Sequence, residues 1–150
     1  MAGFTKVMQQ ALLDMFFNET SPYTPETLFI GLFSGTPTDD AGGGLTEVST
    51  SGTGYARIST SASDWDAAVA NATGTATSKT NGTAKTFGTA SANWASSANI
   101  TYFGLFNAVS AGLLRNFGAL TTPKPVLSGD TPSFAIGALV VQMGDPGDTY

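Results

Sequence analysis

Few residues in this chain are equipped for acid–base or nucleophilic work. Its 150 residues include no histidine and no cysteine. That removes the commonest general base, the thiolate nucleophile and the usual zinc ligands together. Serines are plentiful, but only a lysine or a carboxylate could activate one, and Lys6, Lys79, Lys85 and Lys124 sit in no motif. Sugar hydrolysis needs only two carboxylates flanking a bond, and Asp64-Trp65-Asp66 puts two on one face of an extended segment beside an aromatic ring. The plainer account is that both aspartates stay solvated at a strand end while Trp65 packs. No catalytic residue is assigned.

Binding chemistry is equally sparse. Asp39-Asp40, and Asp145 with Asp148, could each lend oxygens to calcium, but neither stretch has the regular spacing of a six- to eight-oxygen loop. Gly42-Gly43-Gly44 is followed by no Gly-Lys-Ser/Thr and opens no helix, so it is not a phosphate cradle. Asn18, Asn71, Asn81 and Asn99 each begin an Asn-x-Thr triplet, a chance match in a threonine-rich chain. Neither a metal nor a cofactor is expected.

Bulk composition narrows the class further. The chain is 41% hydrophobic, enough for a folded core, and only 11% charged, with Thr, Ser, Ala and Gly in place of the missing charge. A net charge of -5 offers nothing to a phosphate backbone, so nucleic acid is not an expected partner. No run approaches the roughly 20 apolar residues of a bilayer span. The first residues carry one lysine and no long apolar stretch, so neither a membrane nor a secretion signal is expected. At this length one domain over residues 1–150 is expected.

The elements that must position these residues are mostly strands. Ile100–Phe106, Leu113–Leu120 and Phe134–Met143 are short apolar runs bounded by Gly, Pro, Asn and Ser, and Leu28–Ser34 is another. Residues 55–60 alternate with period two. Asn81-Gly82 predicts a two-residue hairpin joining TATSKT to TAKTFGT, within a polar middle (61–98) expected to hold no second core. The phrases FIGLF (29–33) and YFGLF (102–106) echo each other, as strands in equivalent positions of facing sheets would. One helix is predicted over 3–18, where Phe4, Val7, Met8, Ala11, Leu12, Met15 and Phe16 form an apolar stripe, ended by Ser21-Pro22. Residues 144–150 read as a polar tail. The predicted fold is mainly β: an antiparallel β-sandwich of jelly-roll type with one N-terminal amphipathic helix.

The order of these pieces carries a resemblance. An amphipathic helix is followed by TPETLFIGLFSGTPTDDAGG, by TEVSTSGTGYARIS, by a polar middle with Trp, and by the segment from Ile100 to Met143. This resembles small proteins of the structural-gene modules of tailed bacteriophages, commonly labelled phage tail fibre protein. The matching residues are Leu28 to Asp39, Thr46 to Arg57, Phe103 to Phe106, Gly118 to Leu120, Val126, Gly129-Asp130 and Phe134, with 61–92 the least similar part. The overall type is also similar to phage capsid decoration and cement proteins. The resemblance implies a virion protein; the residues add that it is not expected to be an enzyme and is expected to be made in the host cytoplasm.

Compact size and a single domain favour the capsid surface among virion locations. The expected function is a decoration or cement protein on the outside of the particle. It would stabilise junctions of the major capsid protein as a homo-oligomer, a dimer or trimer. Phe4, Met8 and Phe17 of the helix, with the loop residues Asp39, Asp40, Gly42, Gly43 and Gly44, are the expected partner contacts. The alternative is a tail fibre or tail-tip component touching host saccharide, with Trp65 and Trp94 as stacking platforms.

Overall fold

In the computed structural model, residues 2–17, 26–38, 46–70 and 76–144 are described. Their elements run β1 (Ala2–Phe4), α1 (Lys6–Phe17), β2 (Leu28–Phe33), β3 (Ile58–Thr60), β4 (Val69–Ala70), β5 (Ala76–Thr80), β6 (Lys85–Thr86), β7 (Ile100–Phe106), β8 (Leu114–Lys124), β9 (Ser133–Phe134) and β10 (Val140–Gly144). Short 3₁₀ turns occupy Ala62–Asp64 and Trp94–Ser97. Eight strands form one open sheet in the order β3-β2-β7-β8-β1-β10-β5-β4, and β6 pairs with β9 as a separate ribbon. All pairings are antiparallel except β1 with β10. Among the described residues the fold is mainly β, with a single helix near the N-terminus, as predicted.

Strand periodicity explains the two sides of the sheet. Ile30 faces Leu105 and Leu32 faces Phe103 across β2 and β7, so these four point the same way. They build the larger core with Tyr55, Phe87, Trp94, Val126 and Leu139, and Phe134 of the ribbon packs against it. The alternate residues Phe33, Phe106 and Leu114 form a second cluster on the other face, flanked by Phe29, Tyr102 and Phe117. The FIGLF and YFGLF phrases are therefore hydrogen-bonded neighbours in one sheet, not members of facing sheets. Their apolar residues alternate because each strand buries both faces.

Three sequence expectations are corrected. The N-terminal stretch is a strand before it is a helix: β1 inserts between β8 and β10, and α1 starts only at Lys6. Thr5 marks the junction, fully buried, with its backbone N–H donating to Arg115 O and its hydroxyl to Leu114 O at 2.8 Å. The run from Phe134 to Met143 is broken by a turn at Gly137 (φ +75°), leaving Ser133–Phe134 in the ribbon and Val140–Gly144 in the main sheet. Asn81-Gly82 makes no hairpin, since neither residue has the positive φ that a type I′ turn requires. β5 instead pairs with β10 and β6 with β9.

Asn81 has a different task. Its side chain donates to Thr83 O at 2.9 Å and Ala135 O at 2.8 Å, and accepts from Leu139 N–H at 2.8 Å. Its backbone N–H donates to Leu139 O, and its carbonyl accepts from Gly137 N–H. One buried amide thus ties the polar middle to the turn before β10.

Candidate functional site

Within the Asp64-Trp65-Asp66 stretch, the Asp64 carboxylate is held by several partners and that of the exposed Asp66 by one. Asp64 ends a 3₁₀ turn, and its carboxylate accepts from Ser61 N–H and Ser61 O–H, from Thr83 O–H at 2.7 Å, and from Lys85 Nζ at 2.6 Å. The Lys85 ammonium first, then Thr83 and the Ser61 amide, hold the carboxyl well below the usual carboxylate range. A group so held favours its ionised form. Asp66 accepts from Thr80 O–H at 3.0 Å, and its Oδ1 lies against Gly82, where a Cβ would be 2.5 Å away. Both aspartates brace the Thr80–Lys85 bend, and Trp65 packs against the core between them.

Trp94 is a correction to the stacking-platform expectation. It is 0% exposed and its indole N–H donates to Thr53 O at 2.9 Å. Tyr55 and Phe87 meet it edge-on, with ring centroids 5.1 and 5.9 Å away. Neither indole face reaches solvent, so no sugar can stack there. The polar middle, expected to hold no core, supplies the centre of one, because sparse aromatics at 87 and 94 fold inward with Ala90 while the Thr and Ser around them face water. Trp65 is only half-buried.

The partner contacts expected of the helix divide. Phe4 lies on β1 opposite Asn116 and is half-buried, and Met8 is buried. Met8 is thus not presented to a partner, while Phe4 keeps part of its surface. Phe17 is exposed, as are Phe16 and Leu13 beside it. Asp39, Asp40, Gly42, Gly43 and Gly44 lie outside the described residues.

Arg57 organises the opposite side of the sheet. Its Nε and Nη2 clasp Glu47 at 2.7 and 2.6 Å, while Nη1 donates to Ala108 O at 2.8 Å and Ala111 O at 2.7 Å. The guanidinium carbon stands 3.3 Å from the Phe106 ring centroid, a cation–π contact. Tyr55 completes the group, donating to Glu47 at 3.0 Å and accepting Leu32 N–H at 2.9 Å, an edge amide that β3 is too short to pair. Burial, aided by the Glu47 charge, pushes its phenol far above the usual tyrosine value. These contacts tie β2, the 107–113 turn and the segment around Glu47 together.

One cavity has the form of a binding site. A cleft of about 500 Å³ opens between the second half of β8 and the segment leading into β9. Its floor is apolar, with Phe87, Phe103 and Phe134, and its rim carries Thr122, Lys124 and Asp130. It exists because β8 departs from β7: Tyr102 pairs with Ala119 but Ile100 pairs with Lys124, so Thr101 alone faces four residues, 120–123. Pro123, with no N–H to give, suits such a departure. Sequence reasoning missed this site. Its signal was Pro123 and Pro125 closing an otherwise regular strand. Among the described residues no group of three or more Asp or Glu side chains is placed to hold a metal ion. No helix among them is long and apolar enough to cross a membrane.

A family model described as "Podophage GP4 fiber I protein gp80" matches residues 3–142. No curated protein matches the chain.

Proposed function

The chain belongs to the family of podophage GP4 fiber I protein gp80, and from that membership we propose that it works as a non-enzymatic structural component of a tail fibre apparatus. The match over residues 3–142, nearly the whole chain, carries this reading. The site geometry supports a structural role as well. The one carboxylate pair that suggested sugar hydrolysis is tied up in hydrogen bonds, with Asp64 held ionised by Lys85. The capsid-decoration expectation rested on size and architecture, and a match to a fibre protein lends it no support. Host-saccharide contact through the tryptophans loses Trp94, which has no exposed surface.

Copy number tests the assignment. Quantitative mass spectrometry of purified virions would compare this chain with the major capsid protein. A few to a few tens of copies per particle, co-fractionating with tails, is the expected result. A ratio near one, or a simple fraction of it, would place the chain over the shell and overturn the fibre reading.

A further inference from the structure

We propose that the aromatic pair at the end of α1 docks into the aromatic-floored cleft of a second copy of this chain. Phe16 is 81% exposed, Phe17 67% and Leu13 59%, the largest apolar surface the helix presents. Phe16 and Phe17 already pack edge-to-face with centroids 5.7 Å apart, so they project as one unit. Such a pair left in water is a poor end state, and aromatics concentrate where interfaces form.

The cleft is suited to receive it. In its floor Phe134 meets Phe87 and Phe103 edge-to-face, each with centroids 6.2 Å apart, so incoming rings extend an existing aromatic array. A volume of about 500 Å³ falls in the range of roughly 300–1,000 Å³ that accommodates a drug-sized group, and two phenyl side chains are of that order. Charge is complementary too. The last turn of α1 holds Asp14 and no basic residue, so that end of the helix is negative. Lys124 on the cleft rim forms no ion pair among the described residues. The rim's acid, Asp130, is engaged by Leu127 N–H at 2.9 Å in its own turn.

Knob and hole lie on different elements, so two copies can exchange them reciprocally across a two-fold axis, or each copy can seat its knob in the next. The first makes a closed dimer; the second closes copies into a ring or extends them into a filament. It is a property of the chain and does not depend on the fibre assignment.

Two variants of the full chain test it by sedimentation velocity, with circular dichroism confirming the fold. Phe16→Asp with Phe17→Asp removes the knob; Thr122→Trp, at an exposed rim position, blocks the hole, and Lys124→Glu is the second hole variant should Thr122→Trp misfold. The wild type is expected to associate and each variant to sediment as a monomer. An equimolar mixture of knob and hole variants should recover a two-chain species, because one still has the cleft and the other the rings. A wild type monomeric up to its solubility limit would overturn the proposal. So would a mixture that stays monomeric, or hole variants that associate like wild type, the result that a symmetric helix-on-helix contact predicts.

Discussion

Gly31 lies directly opposite Gly104 in the β2–β7 ladder, and the two missing side chains make the floor on which Phe33 and Phe106 stack. A Cβ on Gly104 would stand 2.6 Å from Leu114 Cδ1 and 2.8 Å from Phe33 Cε2; one on Gly31 would stand 2.8 Å from Phe106 Cε2. Two rings in a closed cluster cannot both retreat.

Gly104→Ala is therefore expected to destabilise the fold by about 1–3 kcal/mol through overpacking, and Gly31→Ala by a similar amount. Because both act on one ring stack, the double variant should depart from additivity. Chemical denaturation measures all three. An unchanged midpoint for Gly104→Ala would show that the cluster yields freely.

Arg57 joins three parts of the chain: Glu47, the Phe106 ring and the carbonyls of Ala108 and Ala111. Arg57→Ala leaves Glu47 without its counter-charge and should cost about 3 kcal/mol, the lower end for a buried pair because Glu47 keeps some solvent. Arg57→Lys keeps the charge but loses the planar fork, so it should recover less than half. Hydrogen exchange should quicken first around 107–113. Equal protection there in wild type and Arg57→Ala would contradict the clamp.

Stability should respond to acid through Asp64. Its folded pKa is depressed, chiefly by Lys85, so its contribution is fully present above the ordinary aspartate value of about 3.9 and is lost as pH falls below it. Lys85→Met should move the Asp64 titration, followed by carboxyl NMR, back up toward that ordinary value and flatten the acid limb of the stability curve. A titration unmoved by Lys85→Met would assign the depression to Thr83 and Ser61 instead.

Asn116 is 1% exposed, and both polar atoms of its amide lack a hydrogen-bond partner. A buried amide left unpaired costs about 1–3 kcal/mol, so Asn116→Leu, of the same branched shape though bulkier, should hold or raise the melting temperature. A clear fall would mean that the amide is satisfied by a bound water between β7 and β1.

Much of the sheet was legible in the residues. Ile100–Phe106 and Leu28–Phe33 were readable because short apolar runs flanked by turn formers have few other solutions. Asn81-Gly82 misled because the same dipeptide serves a hairpin or a buried bracket. Only Leu139, Ala135 and Gly137, more than 50 residues away, decide between them. The cleft was illegible for a related reason. It arises from one residue of β7 facing four of β8, and register is a relation between strands that neither carries alone.

Composition and local pattern by themselves determined the β character, the single helix and the lack of catalytic, metal and phosphate-binding motifs. These follow from side-chain identity and near-neighbour spacing. Which aromatics are buried was decided only in three dimensions. Trp94 is sealed by Tyr55 and Phe87, while Phe16 and Phe17 stand in water. Burial depends on what the rest of the chain brings to each ring, and those contacts are long-range.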